Sequence, residues 1–221
     1  MKRRALALAI SLVVLEIGVP SAVRAADDDE RGVCASTVGV PSPPEGAVVV
    51  ALGDDLSART RSSPAGTTFW LTEGRHTLAA DRFGQVIPRD GNVYLGAPGA
   101  VLDGQEINQA AFTQQAAGVV IRGLTIRGFV APQDQGVVNH DSGDGWVIED
   151  NTIEKNGGAG MMAGSRQRVR GNCLRDNGQY GINAYKAGDL TDLVVEGNEI
   201  TGNNTDDWES KIEGCGCTGG V

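Results

Sequence analysis

A repeat of slightly more than twenty residues in the second half of the chain is the feature that most constrains the fold. Four segments align, at residues 121–129, 148–156, 169–177 and 195–203. Their fourth residues are Leu124, Asn151, Asn172 and Asn198, separated by 27, 21 and 26 positions. Paired-helix repeats need about 33 residues or more, and the spacing of leucine-rich repeats is absent, so this period indicates the coil of a β-solenoid.

Equivalent positions of the four segments share their chemistry. Two columns are apolar and are predicted to point into the core: Ile121, Ile148, Val169 and Val195, then Ile126, Ile153, Leu174 and Ile200. A third column, predicted to adopt positive φ, contains Gly123, Asp150, Gly171 and Gly197. Asparagine recurs in two columns, at Asn151, Asn172 and Asn198, and at Asn156, Asn177 and Asn203. Stacked amides can hydrogen-bond from coil to coil, so we expect two asparagine ladders.

Charged residues alternate in sign in two outward columns. The first contains Arg122, Glu149, Arg170 and Glu196, and the second contains Arg127, Glu154 and Arg175 before ending at Thr201. Coils stacked about 4.8 Å apart would place each charge beside its opposite. This alternation gives these residues a structural role in register and removes them from the candidate catalytic residues.

A second strand per coil is predicted at Gly136, Gly160 and Gly181, which open three aligned segments 24 and 21 residues apart. Alternation along this strand predicts outward side chains at Val138, His140, Met162, Gly164, Asn183 and Tyr185. Met161 and Ala163 are predicted to point into the core.

The chain before the repeats is predicted to have three parts. Residues 1–25, with a basic start, an apolar run and small residues at Val23 and Ala25, are typical of a signal peptide and predict export. Residues 26–45 predict a disordered lead-in. From residue 46 onward we expect β-helix with a short N-terminal helical cap, in which Asp54 or Asp55 caps a helix over residues 56–61.

Charge and cysteine content exclude some functions and leave others open. The chain has 19 basic and 28 acidic residues, a formal net charge of −9. Signal removal would make it more acidic, so nucleic acid is an unlikely partner because phosphate binding needs a basic surface. No segment after the signal is expected to span a membrane. Export permits disulfides between Cys34, Cys173, Cys215 and Cys217, but their pairing and the number of subunits stay open.

These residues together resemble a known superfamily. The stretches TTFWLTEGRHTL (67–78), VIPRDGNVYLGAPGAVLDG (86–104) and GWVIEDNTIEKNGGAGM (145–161) are similar to bacterial right-handed parallel β-helix repeat proteins of the pectate-lyase-like superfamily. The resemblance covers the chain from about Gly46 and implies the fold. It does not imply one activity, because the superfamily includes lyases, glycoside hydrolases, epimerases, esterases and non-catalytic proteins. The paired Asp and Gly-His-Gly motifs of polygalacturonase-like hydrolases are absent from this sequence. Members of the superfamily also continue through further coils, so we expect coils beyond Val221.

Candidate site residues follow from the predicted second strand and from the lyase chemistry that the resemblance implies. His140 and Lys186 are candidate general bases, Asn183 and Tyr185 candidate substrate-binding residues, and Asp141 and Asp144 candidate ligands of Ca²⁺. The simpler interpretation of residues 140–146 is a surface turn. Asp103 and Glu106 at an early turn and His76 in an early strand are expected to have structural roles.

Two functions are consistent with the sequence. The first is a secreted carbohydrate-active enzyme, a Ca²⁺-dependent lyase or epimerase acting on acidic polysaccharide. The second is a non-catalytic β-helix that binds carbohydrate or serves surface architecture. The charge columns favour the non-catalytic function, because they commit outward positions to stability. The superfamily favours the enzyme, because many of its members are enzymes.

Overall fold

The chain forms a parallel β-helix in the computed structural model, which describes residues 32–113, 116–141, 143–184 and 189–207. The coils contribute strands to three parallel sheets of seven, six and three strands, and neighbours in a sheet come from successive coils. All strand pairs of the described residues are parallel, as the repeat predicted. Neither described helix is long and apolar enough to cross a membrane.

The strands are distributed over the sheets in the order of the coils. The seven-stranded sheet contains β1 (Val48–Val50), β2 (Thr68–Leu71), β4 (Val93–Gly96), β6 (Val120–Arg122), β9 (Val147–Glu149), β12 (Arg168–Arg170) and β15 (Val194–Glu196). The six-stranded sheet contains β3 (Gly74–Thr77), β5 (Ala100–Asp103), β7 (Thr125–Arg127), β10 (Thr152–Glu154), β13 (Cys173–Arg175) and β16 (Glu199–Thr201). The three-stranded sheet contains β8 (Gly136–Val138), β11 (Ala159–Met162) and β14 (Ile182–Asn183).

The predicted apolar columns are axial neighbours and are buried in the core except at the last described coil, where Val195 is exposed. Ile121 pairs with Ile148, which lies in the same ladder as Val169 and Val195. The second column is likewise in register from Ile126 to Ile200. Aromatic rings fill the first coils, where Phe69 stacks on Tyr94 with ring centroids 5.2 Å apart. Burial raises the pKa of the Tyr94 phenol, whose hydroxyl lies 3.3 Å from that of Thr60.

Both predicted asparagine ladders are confirmed. In the first, the Nδ2 of Asn151 lies 3.1 Å from the Oδ1 of Asn172, whose own Nδ2 lies 2.9 Å from the Oδ1 of Asn198. The second joins Asn156, Asn177 and Asn203 at 3.0 and 2.9 Å. Each amide also donates to a carbonyl of the preceding coil, so the ladders satisfy turn groups that would otherwise be buried without partners.

Each coil turns at residues of positive φ, and these form three columns. The predicted column of Gly123, Asp150, Gly171 and Gly197 is confirmed. A second, five residues later, contains Gly128, Lys155, Asp176 and Gly202. A third, before the seven-stranded sheet, contains Gly66, Gly91, Gly118, Gly145, Arg166 and Asp192. Left-handed backbone costs little for Gly and about 1 kcal/mol or more for most other residues, which explains why Gly is so frequent there.

The charge columns form only part of the predicted ion pairs between coils. Among the described residues no ion pair joins Glu149 to Arg170 or Arg127 to Glu154, and Arg127 pairs with Asp103 instead. Arg122 pairs with Glu149, and Arg170 with Glu196. In the second column the Arg175–Glu154 pair spans 2.6 Å. The arginines are about half-exposed, so each pair contributes about 0–1 kcal/mol and mainly disfavours a shifted register.

The predicted helical cap is present. α2 (Leu56–Ser62) follows Asp55, whose carboxylate accepts a hydrogen bond from the Ala58 N–H at 2.9 Å. Leu56 is buried in the core, so the helix covers the first coil.

The prediction of a disordered lead-in over residues 26–45 is wrong for its described part. Residues 32–40, here called the strap, begin with α1 (Gly32–Ser36) and are bound to the outside of the coils. Cys34 forms a disulfide with Cys173, the Thr37 and Thr152 hydroxyls lie 2.8 Å apart, and the Val40 N–H donates to the Gly96 carbonyl at 2.7 Å. The composition of this segment suggested disorder. The residues that hold it in place are distant in the sequence, so no local pattern indicated these contacts. The signal peptide of residues 1–25 lies outside the described residues and stays a prediction.

The predicted register of the second strand is wrong by one residue at its first step. Val138 pairs with Met161, 23 positions away, and not with Met162. Val138 therefore belongs to the buried column and does not face outward, since a shift of one residue exchanges the two faces of a strand. Met162 was also predicted to be exposed and is 5% exposed. The Met161–Ile182 pair keeps the predicted spacing.

Candidate functional site

A surface groove of about 350 Å³ lies beside the first coils of the three-stranded sheet. The stack of that sheet continues toward the N-terminus through an isolated parallel β-bridge between Val86 and Phe112. The groove lies beside this continuation. We call it the His140 groove. Its lining residues are Arg82, Phe83, Gln85, Gln109, Ala110, Thr113, Ala131, Pro132, Gln135, Gly136, His140 and Asp141.

His140 and Asp141, two of the predicted site residues, lie together in this groove. They directly follow β8 and Asn139, and the His140 N–H donates to the Phe112 carbonyl of the preceding coil at 3.3 Å. The buried Asn139 side chain holds the following turn by accepting from the Gly143 N–H at 2.7 Å. The half-buried imidazole is therefore carried on a backbone fixed on both sides.

Several polar side chains of the groove have no hydrogen-bond or ion-pair partner among the described residues. Within the described part of the chain, five of them form neither a hydrogen bond nor an ion pair: Arg82, Gln85, Gln109, Gln135 and His140. The hydroxyl of Thr113 is buried and also has no hydrogen-bond partner in that part. The five side chains are exposed or partly exposed and therefore open to solvent, and the Thr113 hydroxyl alone among these groups departs from the rule that buried polar groups are satisfied. This groove therefore presents hydrogen-bonding capacity to a ligand.

An aromatic ring stands at the edge of the groove. Phe83 is 68% exposed, and the Arg82 guanidinium carbon lies 5.4 Å from its ring centroid. The loop that carries them is fixed from below, because the Asn108 amide donates to the carbonyls of Ala79 and Asp81 at 2.7 and 2.8 Å. An exposed ring on a fixed loop beside free amides suits the apolar face of a sugar ring and its hydroxyls.

Asp144 does not line this groove. It lies at a corner of the next turn, where its carboxylate pairs with Arg166 at 2.7 Å. Its carbonyl also accepts a hydrogen bond from the Gly118 N–H. In the described ranges no group of three or more His, Cys, Asp or Glu residues could hold a metal ion. The assignment of Asp141 and Asp144 to Ca²⁺ stays a prediction, and it would require Asp144 to leave Arg166.

The remaining predicted residues are not brought to the groove by the described structure. Asn183 lies opposite Met162 in β14, and its carbonyl accepts from the Ala163 N–H at 2.8 Å. It is half-buried and does not line the His140 groove. Tyr185 and Lys186 lie outside the described residues.

The sequence analysis missed Arg82, Phe83, Gln109 and Gln135. Arg82, Phe83 and Gln109 precede the clear repeats, and Gln135 lies in the loop between the first repeat segment and β8. A usable signal was present, since aromatic residues make up only 5% of the chain and Phe83 lies between Arg82 and a glycine in a polar loop. The glutamines carry no such signal, because their convergence depends on the stacking of two coils.

A second groove runs along the corner that follows the six-stranded sheet. It has two connected parts of about 360 and 460 Å³, which share Glu106, Gly128 and Lys155. We call it the corner groove. Asp103 at one end accepts from the Gln105 N–H at 2.8 Å and pairs with Arg75 and Arg127, which agrees with its predicted structural role.

His76 also has the structural position that was predicted. The ring is 2% exposed, and its Nε2 lies 2.7 Å from the Thr72 carbonyl oxygen. Its Nδ1 has no partner in the described part of the chain.

Comparison with known proteins supports the fold and gives no named relative. No curated protein and no solved structure matches the sequence. The family model described as "right handed beta helix region" matches residues 87–220, more than half of the chain. With the parallel coils and stacked columns described above, this match shows that the chain belongs to the right-handed β-helix family.

Proposed function

We propose that this protein is an exported polysaccharide-binding β-helix protein that holds a sugar chain in the His140 groove. The observation that carries the proposal is the set of five polar side chains that form no hydrogen bond or ion pair with the described residues and lie around an exposed phenylalanine. Amide, guanidinium and imidazole groups can donate to or accept from sugar hydroxyls, and the Phe83 ring offers a stacking surface.

The groove favours a polysaccharide that carries acidic groups. Arg82 has no acidic partner among the described residues, although arginines in the charge columns are paired. In a protein of net charge −9, a free guanidinium at a groove gives a local site for a carboxylate or sulfate.

The catalytic version of this proposal assigns His140 as the base of a uronan lyase or epimerase. It is supported by the position of His140 on a fixed backbone in the same groove as Asp141. In this version Ca²⁺ would offset the negative charge of the substrate and acidify the α-proton. The non-catalytic version uses the same contacts for binding alone.

Binding is tested with polygalacturonate, alginate and neutral xylan by isothermal titration calorimetry. We expect Phe83→Ala to weaken binding of an acidic polysaccharide about tenfold, the equivalent of about 1.4 kcal/mol. Ile87→Ala is the matched control, because Ile87 is 40% exposed, nearby and outside the groove lining. The proposal would be contradicted if the protein bound none of the three polysaccharides, or if Phe83→Ala and Ile87→Ala lost the same amount of affinity.

Catalysis is tested separately by absorbance of unsaturated products with Ca²⁺ present. A lyase gives a rising absorbance that is lost in His140→Gln and after chelation of the metal. A flat trace for the wild-type protein on a polysaccharide that it binds excludes the lyase version and leaves the binding function.

A further inference from the structure

One buried hydroxyl lies in the floor of the His140 groove. Thr113 lines the groove but is only 3% exposed, and its hydroxyl has no hydrogen-bond partner among the described residues. Two other buried polar atoms share this lack of a partner within those residues, the Nδ1 of His76 and the Oε1 of Gln167. Neither of these two side chains lines the His140 groove or the corner groove. Of the three atoms, the Thr113 hydroxyl is therefore the one that lies beside space that a ligand can occupy.

The backbone around Thr113 fixes the direction of this side chain. The preceding residue, Phe112, packs its ring against Tyr94 in the core, with ring centroids 4.9 Å apart. The Thr113 N–H donates to the Val86 carbonyl at 3.1 Å. On its other side, the Phe112 carbonyl accepts from the His140 N–H. Because successive side chains of a strand point to opposite faces, Thr113 points away from the core and into the groove.

The rest of the floor is small and apolar. Ala110, Ala131 and Gly136 line the groove and are buried, whereas the charged and amide side chains of the lining are all more exposed. A carboxylate placed on this floor would lose its hydration without a cation to pair with. A neutral hydroxyl can instead share a hydrogen bond with Thr113, whose own hydroxyl both donates and accepts. The floor therefore fits a sugar hydroxyl, and the acidic groups of the same ligand fit Arg82 at the exposed edge.

We propose that Thr113 is the specificity-determining residue of the His140 groove and binds one free hydroxyl group of a sugar residue. The inference rests on the proposed function, because it names the group of the same ligand that the floor recognises. A site built to hydrogen-bond one hydroxyl discriminates against a ligand that lacks it, since the buried protein group then stays without a partner. An O-acetyl group at that position removes the donor and adds bulk to a buried floor. The protein therefore distinguishes a polysaccharide with free hydroxyls from its O-acetylated form.

The test compares the wild-type protein with Thr113→Val by isothermal titration calorimetry. The probes are polygalacturonate, alginate and xylan, each in its free and in its O-acetylated form. Valine has nearly the shape of threonine and lacks the hydroxyl. For the polysaccharide that the wild-type protein binds best, we expect Thr113→Val to weaken binding about tenfold. On the O-acetylated form of that polysaccharide the two proteins should bind equally, and more weakly than the wild type binds the free form.

Thermal stability separates this role from a structural one. Thr113→Val should raise the melting temperature, because it removes a buried hydroxyl that the unliganded fold leaves without a partner. Thr60→Val is the matched control, since the Thr60 hydroxyl is fully buried and lies 3.3 Å from the Tyr94 hydroxyl. This control should lower the melting temperature and leave the affinity unchanged.

Each outcome decides one claim. The role of Thr113 is overturned if Thr113→Val keeps wild-type affinity, or if its loss of affinity persists on the O-acetylated polysaccharide. It is also overturned if Thr113→Val lowers the melting temperature as much as Thr60→Val does. In these three cases the proposed function stands. Failure of the wild-type protein to bind any of the three polysaccharides in either form overturns the proposed function, and this inference with it.

Discussion

Asp103 shows how one residue joins the charge columns to a corner of the fold. Its carboxylate is nearly buried, lies 3.0 Å from Arg75 Nε and 3.5 Å from Arg127 Nε, and accepts the Gln105 N–H. Burial alone would raise the pKa of this carboxyl, but the hydrogen bonds and the two guanidinium groups lower it below the usual value.

A pH-dependent contribution to stability follows from this lowered pKa. The folded-state pKa lies below the unfolded value, so the carboxylate stabilises the fold above about pH 4 and loses this effect as the pH falls through the folded pKa. We expect Asp103→Asn to lower the free energy of unfolding by about 1–2 kcal/mol at pH 7. Urea denaturation should show the difference from the wild type shrinking below about pH 4.

Asp192→Asn provides the control for this change. Asp192 is exposed at another corner and forms no ion pair with the described residues, so its substitution should have little effect at either pH. A deficit of Asp103→Asn that stays constant from pH 7 into the acid range would show that lost packing, and not the charge, is responsible.

Single residues were predicted well where a column repeats. The positive φ of Asp150 and the alternation of charge along the charge columns followed from comparison of four coils. Val138 was misplaced because its column had only three members and one irregular step, and nothing else in the sequence fixed the register. The corner column of Gly128, Lys155, Asp176 and Gly202 was missed, although three of its four members directly precede an asparagine of the second ladder.

The asparagine ladders are the elements that bind one coil to the next. Asn172 is fully buried and accepts from both the backbone N–H and the Nδ2 of Asn151, at 3.0 and 3.1 Å. Its own amide donates to the Ile148 carbonyl and to Asn198. Removing this side chain would take away the acceptor of two buried Asn151 donors and the donor to the Ile148 carbonyl, all on the preceding coil.

We therefore expect Asn172→Ala to lower the free energy of unfolding by about 2–4 kcal/mol. Asn198→Ala, at the more exposed end of the same ladder, should cost clearly less. Chemical denaturation of both variants measures the difference. Equal losses at the two positions would mean that the ladder does not act through buried hydrogen bonds.

The elements themselves were predictable in the second half of the chain because period, chemistry and strand propensity agree there. The N-terminal helix was predicted by its cap at Asp55. The sequence predicted that the third sheet exists, but its register was predicted only in part. Its strands are short, and β8 and β11 are buried on both faces, so no alternation of polar and apolar residues marks the register.

At the scale of the whole molecule, the strap connects distant coils. Its disulfide joins residues 139 positions apart, and further contacts reach Thr152 and Gly96. No local sequence pattern predicts contacts between residues so far apart in the chain, and residues 32–40 were therefore predicted to be disordered. The packing is close, because a Cβ on Gly39 would lie 2.4 Å from the Ala97 carbonyl.

The disulfide is expected to stabilise the fold mainly by restricting the unfolded chain, by up to about 5 kcal/mol for a loop this long. Replacing Cys34 and Cys173 together by Ser should lower the denaturation midpoint accordingly. Amide exchange of the strap should also accelerate, because its remaining hydrogen bonds are few. Unchanged stability and unchanged exchange in the double variant would contradict a strap held by the disulfide.

The proposed function depends on the whole molecule in the same way, because the His140 groove is assembled from loops of successive coils. His140 and Asp141 were predicted from one strand, but their neighbours Phe83 and Gln109 come from earlier coils. Sequence could therefore indicate one side of the site and not its complete lining.

The most direct measurement is a map of backbone amide shifts by NMR as galacturonate oligomers are added to the labelled protein. The account predicts that the largest shifts cluster at residues 82–85, 109–113 and 131–141, which line the His140 groove. Absence of shifts at saturating oligomer, or shifts concentrated on the charge columns of the seven-stranded sheet, would contradict it.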